Sequence, residues 1–368
     1  MNNHLAPHSR MAHRTRHWRN KTLSLLASLS MALLASPSAQ AQASRLDGIN
    51  YIPADIDNSV LVVDSKTNTI LQKIPDVGQH PIQLKALPDR SKIYVDNFGL
   101  AKMEIAVIDT NSNRVIKRIQ TKGAPYATTT LTHDGRYLFF STNLSVVQVI
   151  DTQTDTIVKT FPMSLLPQGV EISPDDQTFY VFYPSGVRAY STATGKQVKP
   201  YLYVGLLPAW SNMSHDGSKL YGLNFVGGDV AVIDTQAWKV TKRLNMGLLS
   251  YPISGTVTPN GKQLWVCNIN AYNMTVIDIE HDQIEKVIPV KRLPVYVGFS
   301  PDGQRGFLSD LGPLTQNLNL IGRALVFDIF YALPPNLPGN VTTYDTSSGL
   351  QMGQPLVTPT GPLVGVYF

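Results

Sequence analysis

One sentence is written several times along this chain: an apolar run into Asp-Thr, a polar turn, and an alternating strand that leaves it. It reads VVDSKTNTILQKI from Val62, VIDTNSNRVIKRI from Val107, VIDTQTDTIVKTF from Val149, VIDTQAWKVTKRL from Val232 and VIDIEHDQIEKVI from Val276. AYSTATGKQVK from Ala189 and TYDTSSGLQMG from Thr343 are weaker copies. The anchor positions 64, 109, 151, 191 (a serine), 234 and 278 are separated by 45, 42, 40, 43 and 44 residues. Strand-type sequence repeating at such a period predicts the blades of a propeller. The next interval, to Asp345, is 67 residues and predicts an insertion.

A second motif precedes each anchor, a tight turn of Pro-Asp-Gly type. Examples are His133-Asp134-Gly135, His215-Asp216-Gly217, Pro259-Asn260-Gly261 and Pro301-Asp302-Gly303. Proline presets its own backbone angle, and Asp-Gly or Asn-Gly tolerates the turn, so these are hairpin connections. About seven residues earlier stands another proline, at 81, 125, 167, 208, 252 and 294, opening a short strand. After the turn comes an aromatic or apolar quartet with a polar end, such as Tyr94-Val95-Asp96-Asn97 and Tyr221-Gly222-Leu223-Asn224. Together these make four short antiparallel strands per repeat.

The Tyr-Val-x-Asn quartet, the VIDT strand and the Pro-Asp-Gly turn at this spacing resemble the YVTN family of β-propeller repeat proteins. The resemblance covers residues 46–368 and implies an all-β, seven-bladed β-propeller. The first repeat begins at Tyr51 without a proline-led strand, and residues 362–368, PLVGVYF, resemble such a strand. The C-terminal strand is therefore expected to complete the first blade and close the ring.

Residues 1–41 read as a cleaved signal peptide. Arg10, Arg14, Arg16, Arg19 and Lys21 form a basic region, residues 22–36 an apolar one, and Ala39-Gln40-Ala41 a small-x-small cleavage site. Met11 is an alternative start. The leader carries five of the 31 Lys and Arg and none of the 26 Asp and Glu, so the remainder is balanced. A neutral mature chain argues against a nucleic-acid partner. An exported, periplasmic protein is expected, with an extracellular location as the alternative.

Cys267 is the only cysteine, which excludes an internal disulfide and a C-x-x-C-H haem attachment. The histidines after the leader, at 80, 133, 215 and 281, show no metal-ligand spacing. No metal, cofactor or catalytic residue is assigned on this reading. The recurring aspartates read as turn residues bonding local backbone N–H groups. A ligand would lie on the ring axis, where the inner strands begin. The candidates are Gln83, Tyr126, Gln168, Glu171, Trp210, Ser254 and Tyr296, an aromatic and amide-rich rim with little charge.

That rim favours a non-catalytic binding or scaffold protein for a protein, peptide or glycan partner. The alternative is a lactonase-like or quinoprotein-dehydrogenase-like enzyme, or enzyme subunit, with its site on the axis. Lactonases and haem- or quinone-dependent dehydrogenase subunits resemble this architecture, but no cluster of charged groups for such chemistry is evident in the sequence. Residues 311–340 read as an insertion in the last blade, with an amphipathic helix expected near Thr315–Leu333, an apolar stretch bounded by Gly-Pro and Pro-Pro.

Overall fold

The computed structural model describes residues 45–368, apart from 100, 165, 313, 314, 316 and 324–336. The expected leader lies outside these residues. From Leu46 to Phe368 the chain forms one folded unit. It is a ring of seven four-stranded antiparallel sheets. No helix among the described residues is long and apolar enough to cross a membrane.

Blade 1 is built from β1 (Ile49–Ala54), β2 (Ser59–Asp64) and β3 (Thr69–Ile74), with β28 (Val366–Tyr367) as its inner strand. The two chain ends meet there: Asn50 pairs with Tyr367 and Tyr51 with Val366. Gly48 N–H adds a bond to the Phe368 carbonyl at 2.7 Å. The ring closes as expected, but the closing strand is shorter than residues 362–368. Val364 instead leans on the next blade, where its carbonyl accepts from Leu84 N–H at 2.9 Å.

The other inner strands are β4 (Pro81–Ala86), β8 (Pro125–Leu131), β12 (Val170–Ile172), β16 (Pro208–Met213), β20 (Pro252–Val257) and β24 (Pro294–Phe299). Burial follows position in the blade. In blade 2 the middle strands β5 (Lys92–Asn97) and β6 (Glu104–Asp109) are buried on both faces, because each is covered by a neighbouring blade. Such strands read as continuous apolar runs. The outer strand β7 (Arg114–Gln120) is exposed and carries the basic residues. Apolar clusters fill the gaps between blades: Tyr94, Ile105 and Val107 of blade 2 meet Leu138, Phe140 and Ile150 of blade 3.

The repeated polar residues prove structural. Asp64 accepts from the N–H groups of Lys66 and Thr67, and Asp234 from those of Gln236 and Ala237, each closing the turn it begins. Asn97 and Asn224, both fully buried, donate to the carbonyls of Val77 and Val204 in the loops entering their blades.

Between β25 (Arg305–Asp310) and β26 (Gly339–Asp345) lies the insertion, on the face of the ring where the inner strands start. Its described part is tied there: Thr315 meets the Tyr272 hydroxyl at 3.0 Å, and Asn270 donates to the Leu320 carbonyl at 3.2 Å. Residues 320–323 form one helical turn, whereas Thr315 and residues 317–319 are turn or irregular and not the helix expected there; residues 324–333 of that helix lie outside the described residues.

Candidate functional site

The inner strands bring the candidate residues to the axis through a repeated irregularity. Register shifts fall between Pro81 and Gln83, Pro208 and Trp210, Pro252 and Ser254, and Pro294 and Tyr296. A bulge re-aims the side chain that follows it. Each leading proline is also preceded by a left-handed residue in four blades: His80 (φ 54), Leu166 (φ 56), Leu207 (φ 51) and Tyr251 (φ 55). Because the conformation recurs, it belongs to the blade turn and does not single out His80.

One side of the axis is aromatic. Trp210 and Tyr296, from blades 5 and 7, approach with ring centroids 6.3 Å apart. The indole N–H of Trp210 donates to the Gly255 carbonyl at 3.0 Å, which fixes the ring. Ser254 is buried and donates to the Val295 carbonyl at 2.6 Å, so it braces two blades. Gln168 lies just before β12, buried, with its amide N–H on the Leu166 carbonyl at 3.3 Å.

The other side is charged, which corrects the expectation of a rim with little charge. Lys85 on β4 and Glu171 on β12 are half-buried side chains deep in the ring, and Asp96 on β5 is buried. Lys85 lies two residues after Gln83 on the same face of its strand, and Asp96 is the cross-strand partner of Gln83. The inner strands, apart from the side chain of Ala127, thus hold one cation, Lys85, and one anion, Glu171. The sequence signal for Lys85 was the period of two from Gln83. Asp96 sat in a quartet whose polar end reads as a turn entry, so its inward position was missed.

Burial shifts all three groups. It pushes Asp96 up to about 7, against the pull of the Thr129 hydroxyl and of Lys85. It pushes Glu171 up to about 7, against Lys85 and the Ser211 hydroxyl. It lowers Lys85, opposed by the charges of Glu171 and Asp96. Carboxyls near neutrality can give and take protons at the pH of the cell. Glu171 ends a directed chain. Val170 N–H donates to the Thr128 hydroxyl at 3.0 Å, which meets Ser211 at 3.4 Å, and Ser211 donates to Glu171 at 3.0 Å. A Cβ on Gly169 would stand 2.2 Å from the Thr128 oxygen, so the chain needs glycine there.

On the face bearing the insertion, the His80 ring is held through Nδ1 by Asp55 at 3.1 Å, and its backbone N–H by Asn58 at 3.0 Å. Phe98 N–H donates to the His80 carbonyl at 2.9 Å, and the Phe98 ring lies 5.4 Å from that of Tyr126. His133 and His281 pair with Asp176 and Asp278 in peripheral turns. No group of three or more His, Cys, Asp or Glu side chains among the described residues is arranged to hold a metal ion.

Residues 100–201 match the Cytochrome D1 heme domain model. That segment runs from blade 2 into blade 4 and contains Tyr126, Thr128, Gln168 and Glu171. The match overturns the expectation of a non-catalytic scaffold and agrees better with the alternative reading. No curated protein matches the chain. Among solved structures, a functionally unknown protein from Desulfotomaculum acetoxidans DSM 771 is similar at 15% identity and TM-score 0.70, covering 87% of this chain and 99% of that one. Dihydro-heme d1 dehydrogenase NirN, in complex with DHE, is similar at 13% identity and TM-score 0.63, over 87% and 75%. Hydrazine synthase from Kuenenia stuttgartiensis is similar at 19% identity and TM-score 0.58, over 73% and 77%. At these identities the likenesses establish the propeller fold alone.

Proposed function

We propose that this protein is an exported, periplasmic propeller of the YVTN type that handles an iron tetrapyrrole on the insertion-bearing face of its axis. It would serve as an enzyme, or enzyme subunit, of dehydrogenase type. The observation that carries this reading is the match of residues 100–201 to a haem-domain model.

The residues present fit such a group. Among the described residues, His80 keeps Nε2 without a hydrogen bond while Asp55 fixes Nδ1. A carboxylate on one ring nitrogen orients the other toward a metal. Phe98 and Tyr126 beside it offer flat apolar surface for a macrocycle. Tethering by thioether does not fit: Cys267 is fully buried and burial pushes its thiol up to about 12. Binding would be non-covalent. When bound, an iron tetrapyrrole supplies one-electron chemistry. This chain's part is to orient the group with His80, to exclude water with the aromatic rings, and to hold protons at Glu171 and Asp96.

The test is the absorption spectrum and native mass of the mature protein purified from the periplasm of its own bacterium. A tetrapyrrole in stoichiometric amount supports the reading. A colourless protein that also fails to take up added iron tetrapyrrole overturns it.

A further inference from the structure

Beside its inner strand, every blade places a large aromatic residue at the third position of the next strand. In three blades its hydroxyl reaches the turn of the following blade: Tyr51 at Asn113, Tyr94 at Asp155 and Tyr221 at Asp282. Elsewhere bulk fills the seam. Tyr180 stacks on Trp238 with centroids 6.0 Å apart, blade 6 uses the fully buried Trp265, and Phe307 stacks on Tyr367 under the Arg305 guanidinium. Between blades 3 and 4 the matching residues are Phe139 and Gly195, so the hydroxyl and its acceptor are both missing. No other seam among the described residues pairs phenylalanine with glycine.

A cavity of about 190 Å³ opens at that seam, on the face of the ring where the inner strands end. Its floor is apolar and buried, with Phe139 3% and Val149 1% exposed. Its mouth is open and polar, formed by exposed Asp134, Tyr137 and Lys159 together with Asp176. Pockets for drug-sized ligands run from ~300 Å³ upward, so the occupant here is small.

The lining decides the chemistry. Asp134 and Asp176 supply two carboxylates, which repel an anion. Lys159 already donates to the carbonyls of Thr192 and Ala193, at 3.1 and 3.4 Å. The Arg136 guanidinium lies over the Tyr137 ring at 5.6 Å, but Asp151 pairs with it at 2.6 Å. His133 holds Asp176 through Nδ1 at 2.9 Å. Asp134 accepts the Thr132 hydroxyl at 2.7 Å and the Arg136 N–H at 2.9 Å with one oxygen, Oδ1. A bare metal ion would leave the apolar floor uncovered. An ammonium with an apolar body suits both ends, through charge-assisted hydrogen bonds to the carboxylates and attraction to the aromatic faces. We propose that this seam binds a small organic ammonium ion, its body on Phe139 and Val149 and its head at Asp134 and Asp176. The site lies on the face away from the insertion and stands independently of the tetrapyrrole reading.

The experiment is a calorimetric titration of the intact mature protein at neutral pH with phenethylamine, and with phenethyl alcohol as its neutral counterpart. Phenethylamine is expected to bind one-to-one and about tenfold or more tightly than the alcohol, the margin of a charge-assisted hydrogen bond over a neutral one. Two variants copy residues the ring already uses, and circular dichroism checks that each is folded. Phe139→Trp puts the Trp265 side chain of blade 6 into the cavity and should abolish binding. Asp134→Asn copies Asn260, whose Oδ1 accepts the equivalent bonds from the Thr258 hydroxyl at 2.8 Å and the Lys262 N–H at 3.0 Å. It removes only the charge and should weaken binding about tenfold. Equal affinity for amine and alcohol, unchanged affinity in either variant, or no saturable uptake of phenethylamine overturns the proposal.

Discussion

The Tyr94 hydroxyl of blade 2 donates to the carboxylate of Asp155 in the turn of blade 3, at 2.5 Å. Lys92 reaches the same carboxylate at 2.7 Å. The contact recurs around the ring: Tyr51 donates to Asn113 at 2.6 Å, and Lys219 pairs with Asp282 at 2.9 Å. The first residue of the quartet thus bolts its blade to the turn of the next. Tyr94→Phe should lower stability by about 1.5 kcal/mol, the worth of a hydrogen bond to a charged group. Asp155→Ala should cost more, since it removes the charged partner of both Tyr94 and Lys92, leaving each only the Thr152 carbonyl. Urea midpoints at constant slope measure both losses, and an unchanged midpoint in Tyr94→Phe refutes the bolt.

Ring closure gives a second prediction. Tyr367 of the closing strand stacks on Phe307 of blade 7, with centroids 4.9 Å apart and planes 2° from parallel. Gly298 makes room for it: a Cβ there would lie 2.1 Å from the Tyr367 ring. Gly298→Ala should destabilise the whole ring by about 2 kcal/mol through overpacking. Deletion of residues 362–368 should do so more severely, because it unpairs β1. Thermal unfolding of either variant with an unchanged midpoint would show that the ends do not hold the ring.

The axial acids make stability depend on pH in a stated direction. Asp96 and Glu171 are raised by burial to about 7, whereas an unfolded chain ionises its carboxyls near pH ~4. Between those values the folded protein binds more protons than the unfolded one, so stability falls as pH rises and levels off above about 7. Asp96→Asn keeps the shape and removes one of the two groups, so the slope should flatten. Denaturation of both proteins at pH 5, 6, 7 and 8 tests this, and parallel profiles would contradict it.

Much of this architecture is legible in the sequence because the blade grammar is local. Pro259-Asn260-Gly261 sets a turn, and VIDI from Val276 sets a doubly covered strand, each within a few residues. The closing strand was legible too, since Pro362 and the residues after it repeat the pattern opened by Pro294. The charged cluster was not, because it joins Lys85 and Asp96 of one blade to Glu171 two blades on. Residues 75 to 86 positions apart meet only through the ring. Asp96 and Asn97 are adjacent in one quartet, yet Asp96 points to the axial cluster while Asn97 braces a loop. Alternation along a strand separates them, and the motif alone does not say which face is the axis.

The claim that the axis handles a tetrapyrrole is tested most directly at His80. The measurement is a titration of the purified mature protein with an iron tetrapyrrole, followed in the Soret band, in wild type and His80→Ala. The account predicts saturable one-to-one binding in wild type and about tenfold or greater weakening in His80→Ala, the scale on which lost metal-site interactions act. A wild-type protein with no saturable change, or the same Kd in both proteins, would contradict it.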